Sequence, residues 1–257
     1  MRRPGPLAAV SSLPLLAAGF LYTQVRLAAH RDDLPSFLNQ DISGTFGDPA
    51  SPALRVVGVG DSSLTAPGMD DLDQVWLRRL ARRYADGHFV ELISLGVGGS
   101  RIQDVIDGQL DAAVALRPDI AVVTVGSNDA IRATPVGRFG GRLEHIVSRL
   151  EAVSGAVMVM GMGDLGSIPR LSPTLRPYLS YRSRRFDAAC VRVAVAHPRA
   201  VKVYARGRMV SAFWEDRSLF AADLFHASAR GHGIFLDAAA PAFEAAYRIA
   251  LRQRAGG

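Results

Sequence analysis

Short apolar runs, each ending in glycine or a small polar residue, recur along this chain, with helix-spaced segments between them. Leu54-Arg55-Val56-Val57-Gly58-Val59-Gly60 leads into Asp61-Ser62, and Val90 to Leu95 leads into Gly96 to Gly99. Ile120 to Val125 leads into Gly126-Ser127-Asn128-Asp129, while Ala156 to Met160 and Val201 to Tyr204 complete the set. Runs this short, rich in β-branched residues and bounded by turn residues, predict buried strands. Between them, Trp76, Leu77, Leu80, Ala81 and Tyr84 fall at helical spacing, as do Phe139, Leu143, Ile146, Val147 and Leu150. Ile102 to Leu116 predicts a helix stopped by Pro118, and Ala229 to Arg252 a helical tail interrupted near Pro241. Strands alternating with helices require a mostly parallel sheet covered on both faces. Such sheets bind ligands at the carboxyl ends of their strands, beside a topological switch point. The polar and glycine residues after the first three strands stand where that rule expects chemistry.

Composition removes other classes. Of 257 residues, 49% are hydrophobic and 21% charged, which excludes disordered and fibrous chains. Cys190 is the single cysteine, so neither an intramolecular disulfide nor a cysteine-based zinc site is available. The net charge of +6 comes almost wholly from dispersed arginines, with Lys202 the one lysine. The densest cluster, Arg182, Arg184, Arg185 and Arg192, reads as a solvated basic face, and no nucleic-acid partner is expected.

At the N-terminus, Arg2 and Arg3 precede an uncharged stretch that ends at Arg26. Residues 1–28 read as a leader of the signal-anchor type, predicting membrane association and a place in a bacterial cell envelope. A leader on a cytoplasmic protein is the alternative. Residues 29–53, with Pro35, Gly44, Pro49 and Pro52, read as a linker, and 54–257 as one α/β domain.

Ser62, in Gly60-Asp61-Ser62-Ser63-Leu64, stands at a strand-to-helix turn that can present its hydroxyl above the sheet edge. A serine needs a base, and Asp223-Leu224-Phe225-His226 offers an imidazole with a carboxylate three residues away. His30, His88, His145 and His197 lack that company, and His232, the one competitor, has no carboxylate beside it in sequence. Backbone amides of Gly98-Gly99 and the side-chain amide of Asn128 could meet a developing oxyanion, although turn and helix-cap roles explain them too.

Taken together, from about Arg55 onward, these blocks resemble those of the SGNH (GDSL-type) esterases and lipases. Gly60-Asp61-Ser62-Ser63-Leu64, Gly96-Val97-Gly98-Gly99, Gly126-Ser127-Asn128-Asp129 and Asp223-Leu224-Phe225-His226 are similar to the family's four blocks, in order. The resemblance implies a flavodoxin-like three-layer α/β/α sandwich around a five-stranded parallel sheet. It implies Ser62 as nucleophile with His226 and Asp223, and an oxyanion hole of Ser62, Gly99 and Asn128. Asp61 and Asp129 would be supporting residues. Neither metal nor cofactor is implied, and the partner is a small-molecule or lipid ester. Gly161 to Gly166 resembles the loop that walls the cleft in bacterial members. Three departures stand out: Ser63 follows Ser62, Ser94 stands where many members have asparagine, and Ala227 follows His226 where proline is common.

The expected function is a serine hydrolase of carboxylic esters. The alternatives are an acyltransferase using the same acyl-enzyme, or a catalytically silent binding module. Dinucleotide binding is disfavoured, since Gly58-x-Gly60 lacks its third glycine. Phe139, Phe220, Leu224 and Phe225 could line an acyl pocket, and core packing explains them as well.

Overall fold

The computed structural model describes residues 19–20, 22–24, 26–27 and 31–256. Its sheet contains β1 (Gly44–Phe46), β2 (Ala53–Gly60), β3 (Phe89–Ser94), β4 (Ile120–Thr124), β5 (Ala156–Val159) and β6 (Ala200–Lys202), in the order β1-β3-β2-β4-β5-β6. Every pairing is parallel except β1 with β3. The expected five-stranded parallel sheet is therefore present, in the strand order of flavodoxin-like folds, with one antiparallel strand added at its edge. That added strand comes from the stretch read as linker. Phe46 and the neighbouring Ile42 are buried, so this segment belongs to the folded unit.

The sheet is covered on both faces. Ala121 and Val123 of β4 point toward α2 (Ile102–Gly108), α3 (Leu110–Ala115), α5 (Val136–Glu151) and α6 (Arg176–Ala196). Ile120 and Val122 point the other way, toward α1 (Trp76–Arg83) and α8 (Ala229–Gly256). All five β4 residues are buried, as a central parallel strand requires. Short helices α4 (Ser127–Ile131) and α7 (Arg208–Glu215) stand at the carboxyl edge.

Two helices and one side chain differ from expectation. The helix expected over Ile102 to Leu116 breaks at Gln109, whose side chain is taken by β2. The tail helix runs through Pro241 without stopping, held by Leu236, Ala239, Phe243 and Ala246 on the core. Arg182 is not part of a solvated face: its guanidinium donates to the Ala130 and Thr134 carbonyls and lies over the Phe186 ring. Among the described residues, no helix is long and apolar enough to cross a membrane. The expected leader lies largely outside the described residues.

Candidate active site

The switch point falls between β2 and β4, and the first block stands at its mouth. Gly60 ends β2 with φ of 152°, and a Cβ there would lie 2.0 Å from the Thr124 carbonyl oxygen. Only glycine lets β2 run this close to β4 and then turn. The Asp61 N–H donates to the same Thr124 oxygen at 3.0 Å, and Ser62–Leu64 forms a single 3₁₀ turn.

The two serines of that turn are treated differently. Ser63 Oγ lies 2.8 Å from Asp61 Oδ1 and 3.0 Å from Thr124 Oγ1. The Ser63 N–H also reaches Asp61 Oδ1, at 3.1 Å, and its carbonyl accepts from Trp76 Nε1. Ser63 is tied into the scaffold. The Ser62 hydroxyl makes no hydrogen bond among the described residues, and both serines line a cavity shared with His226. Burial pushes the Asp61 carboxyl above its ordinary range, against the pull of the Ser63 bonds.

Asp223 and His226 meet on a tight loop. The Ala221 N–H donates to the His226 carbonyl at 2.8 Å, Phe220 bridges to Ala227, and Leu224 takes a positive φ of 58° to close the turn. Asp223 Oδ1 accepts the N–H groups of Phe225 and His226, both at 3.0 Å, and Oδ2 lies 2.6 Å from His226 Nδ1. Asp223 is only 2% exposed. Burial alone would raise its carboxyl, but the imidazole and the two backbone donors outweigh it and hold the group below the usual range. The carboxylate thus stays charged and fixes the ring. His226 Nε2 is left without a hydrogen bond among the described residues, including one to Ser62.

Ser62, His226 and a largely apolar cavity of about 180 Å³ share one wall. The loop after β5 contributes Met162, Leu165 and Ile168, as the resemblance of Gly161 to Gly166 implied, and α7 contributes Met209 and Phe213. Of the expected acyl-pocket aromatics, Phe220 and Phe225 line it. Phe139 is buried against Phe186 instead, and Leu224 does not line the cavity.

Of the oxyanion candidates, Ser62 is part of this lining, while Gly99 and Asn128 stand outside it, Asn128 directly after the lining residue Ser127. Gly99 has φ of 83°, and neither its N–H nor that of Ser62 donates to a described residue. Asn128, in the first turn of α4, donates from Nδ2 to the Ser100 carbonyl at 3.2 Å. Asp129 Oδ2 accepts the Ile102 N–H at 2.7 Å, fixing the same loop from beneath. Burial raises the Asp129 carboxyl. Ser94 also serves despite replacing asparagine, since its hydroxyl donates to the Leu64 carbonyl at 2.9 Å.

Residues 59–234 match the model of the GDSL-like Lipase/Acylhydrolase family. The chain belongs to this family. It is 30% identical over 190 residues to the GDSL-like esterase Rv1075c of Mycobacterium tuberculosis, an alignment covering 69% of this chain. It spans 58% of that relative's length. Its fold is similar to that of TesA, with a TM-score of 0.61 at 20% identity over 75% of this chain and 99% of that one. The psychrotrophic esterase EstA from Pseudoalteromonas sp., in a structure inhibited by monoethylphosphonate, gives 0.57 at 17% identity, over 74% and 96%.

Two features of the site carry no family-block signal in the sequence. His232 lines the cavity at 3% exposure, although its sequence neighbours mark it only as a lone histidine. Gln109 reaches Gly60, just before the Ser62 turn, from 49 positions away. Only the folded chain brings either to the site.

Proposed function

We propose that the protein is a serine esterase whose acyl-enzyme forms on Ser62. The observation carrying this reading is the His226–Asp223 pair on the same cavity as a serine whose neighbour is tied off. Ser62 Oγ attacks the ester carbonyl carbon while its proton passes to His226 Nε2, and Nδ1–H stays with Asp223. The tetrahedral oxyanion takes hydrogen bonds from the N–H groups of Ser62 and Gly99 and from the Asn128 side chain. Collapse breaks the bond to the alkoxy oxygen, which leaves with the proton held by His226. Water then enters, gives a proton to His226 and attacks the acyl carbon, and collapse breaks the bond to Ser62 Oγ, which takes that proton back from His226 as the acid leaves.

The apolar cavity takes the acyl chain. A cavity of about 150 Å³ holds a six-carbon ring, so about 180 Å³ suits an acyl chain of similar size. The esterases among the relatives are compatible with this class. The basic and apolar leader at 1–28 supports membrane or cell-envelope placement, which fractionation of the full chain tests.

A p-nitrophenyl ester series from two to sixteen carbons should give the highest kcat/KM near six, and Ser62→Ala should remove activity at every length. A flat series would contradict the acyl pocket. Undiminished hydrolysis by Ser62→Ala would contradict the nucleophile.

A further inference from the structure

Gln109 occupies the joint between α2 and α3, 3% exposed, and its carboxamide serves the turn that carries Ser62. The Gly60 N–H donates to Gln109 Oε1 at 2.7 Å, and Gln109 Nε2 donates to the Gly60 carbonyl at 3.0 Å. That carbonyl also accepts the Val97 N–H at 3.1 Å. β3 ends at Ser94, so its ladder with β2 stops before Gly60. The carboxamide meets the Gly60 N–H in place of a β3 carbonyl and shares the Gly60 carbonyl with Val97. The amide assignment follows from its partners, a backbone donor facing Oε1 and a backbone acceptor facing Nε2.

The same side chain reaches the other half of the site. Gln109 Nε2 is 3.4 Å from Ser100 Oγ, and the Ser100 carbonyl holds Asn128 Nδ2 at 3.2 Å. One buried residue therefore joins Gly60, directly before Asp61-Ser62, to the loop carrying Gly99 and through Ser100 to Asn128. It does not line the cavity and is out of reach of substrate. An apolar residue could fill this volume. What the amide adds is a donor and an acceptor aimed at both halves.

We propose that Gln109 is a positioning residue that sets the spacing between Ser62 and the oxyanion donors Gly99 and Asn128. The inference rests on the serine-esterase reading. Its physical basis is that oxyanion donors act at fixed distances from the position the charged oxygen will occupy, so a small shift between the two loops weakens them together.

The test is a double-mutant cycle on the full chain, with Gln109→Met and Asn128→Ala, normalised by active-site titration with a fluorophosphonate. Gln109→Met should lower kcat about 10- to 100-fold with KM nearly unchanged, and Asn128→Ala about 100- to 1,000-fold. With Asn128 already gone, adding Gln109→Met should cost much less than it does alone, since both act through one network. Gln109→Glu keeps an acceptor for the Gly60 N–H but turns an oxygen toward the Gly60 carbonyl, and it should also fall in kcat. It carries the test if Gln109→Met does not fold. Wild-type kcat in the folded variants, or two losses that simply multiply, would overturn the proposal and leave Gln109 as a packing residue. A wild-type chain that neither hydrolyses esters nor takes the probe would instead overturn the serine reading, a separable result.

Discussion

Ser62 and Ser63 share a backbone turn and differ in what holds them. Both line the cavity with His226, but bonds to Asp61 and Thr124 hold the Ser63 hydroxyl, while the Ser62 hydroxyl makes none among the described residues. Histidines divide in a similar way. His197 is spent between Glu144 and Glu151, and His226 is oriented by Asp223. The His232 imidazole makes no hydrogen bond among the described residues, and its Nδ1 is fully buried. Burial first, then the charges of His226 and Arg79, hold its imidazole down at about 4 against an ordinary 6.5. The folded protein thus binds fewer protons than the unfolded chain inside that window. Its stability is fully present above 6.5 and falls as pH drops toward 4. At ~1.4 kcal/mol per unit, His232 accounts for a loss of about 2–3 kcal/mol between pH 7 and 4.5. His232→Phe should lose about that much less over the same interval in urea unfolding. Identical pH profiles would contradict the assignment. The blocks around Ser62, Asn128 and Asp223 were readable because each is local in sequence. His232 and Gln109 were not, since burial and long-range bonds define them.

At the level of elements, strands declared themselves through apolar runs that both sheet faces demand. β1 escaped because three residues show no periodicity, and its identity comes from pairing with β3. α6 escaped for another reason. Its inner face carries Ser183, Asp187, Ala189 and Cys190 among the larger apolar residues, so no apolar stripe marks it. Asp187 there is paired with the buried Lys202 of β6 at 2.8 Å, and burial pushes the Cys190 thiol up to about 12. The segment before β1 also works on the site. The Gln40 N–H donates to the Thr65 carbonyl at 2.8 Å, and Asn39 Oδ1 accepts the Thr65 hydroxyl at 2.7 Å. A chain starting at Asp41 keeps Ile42 and β1 and should fold with esterase activity, lowered by loss of the Asn39 and Gln40 bonds to Thr65. One starting at Leu54 loses both buried side chains, each worth about 1.5–3 kcal/mol, and uncovers the β3 edge. It should be about 3–6 kcal/mol less stable or aggregate, as read by denaturant unfolding and size-exclusion chromatography. Equal stability of the two chains would show that β1 is dispensable.

For the whole molecule, alternation of strands and helices was sufficient to read a doubly covered parallel sheet with its chemistry at one edge. The cavity was less accessible to sequence, since its walls come from the loop after β5, from α7 and from the start of α8. These parts converge on one claim, that a single serine is activated by one imidazole at the β2/β4 switch point. Covalent labelling with a fluorophosphonate followed by peptide mapping tests it most directly, because phosphorus captures a serine activated by its base. One adduct is expected, on Ser62, unaffected by Ser63→Ala, strongly slowed by Asp223→Asn and abolished by His226→Ala. An adduct on Ser63, or labelling that persists without His226, would contradict it.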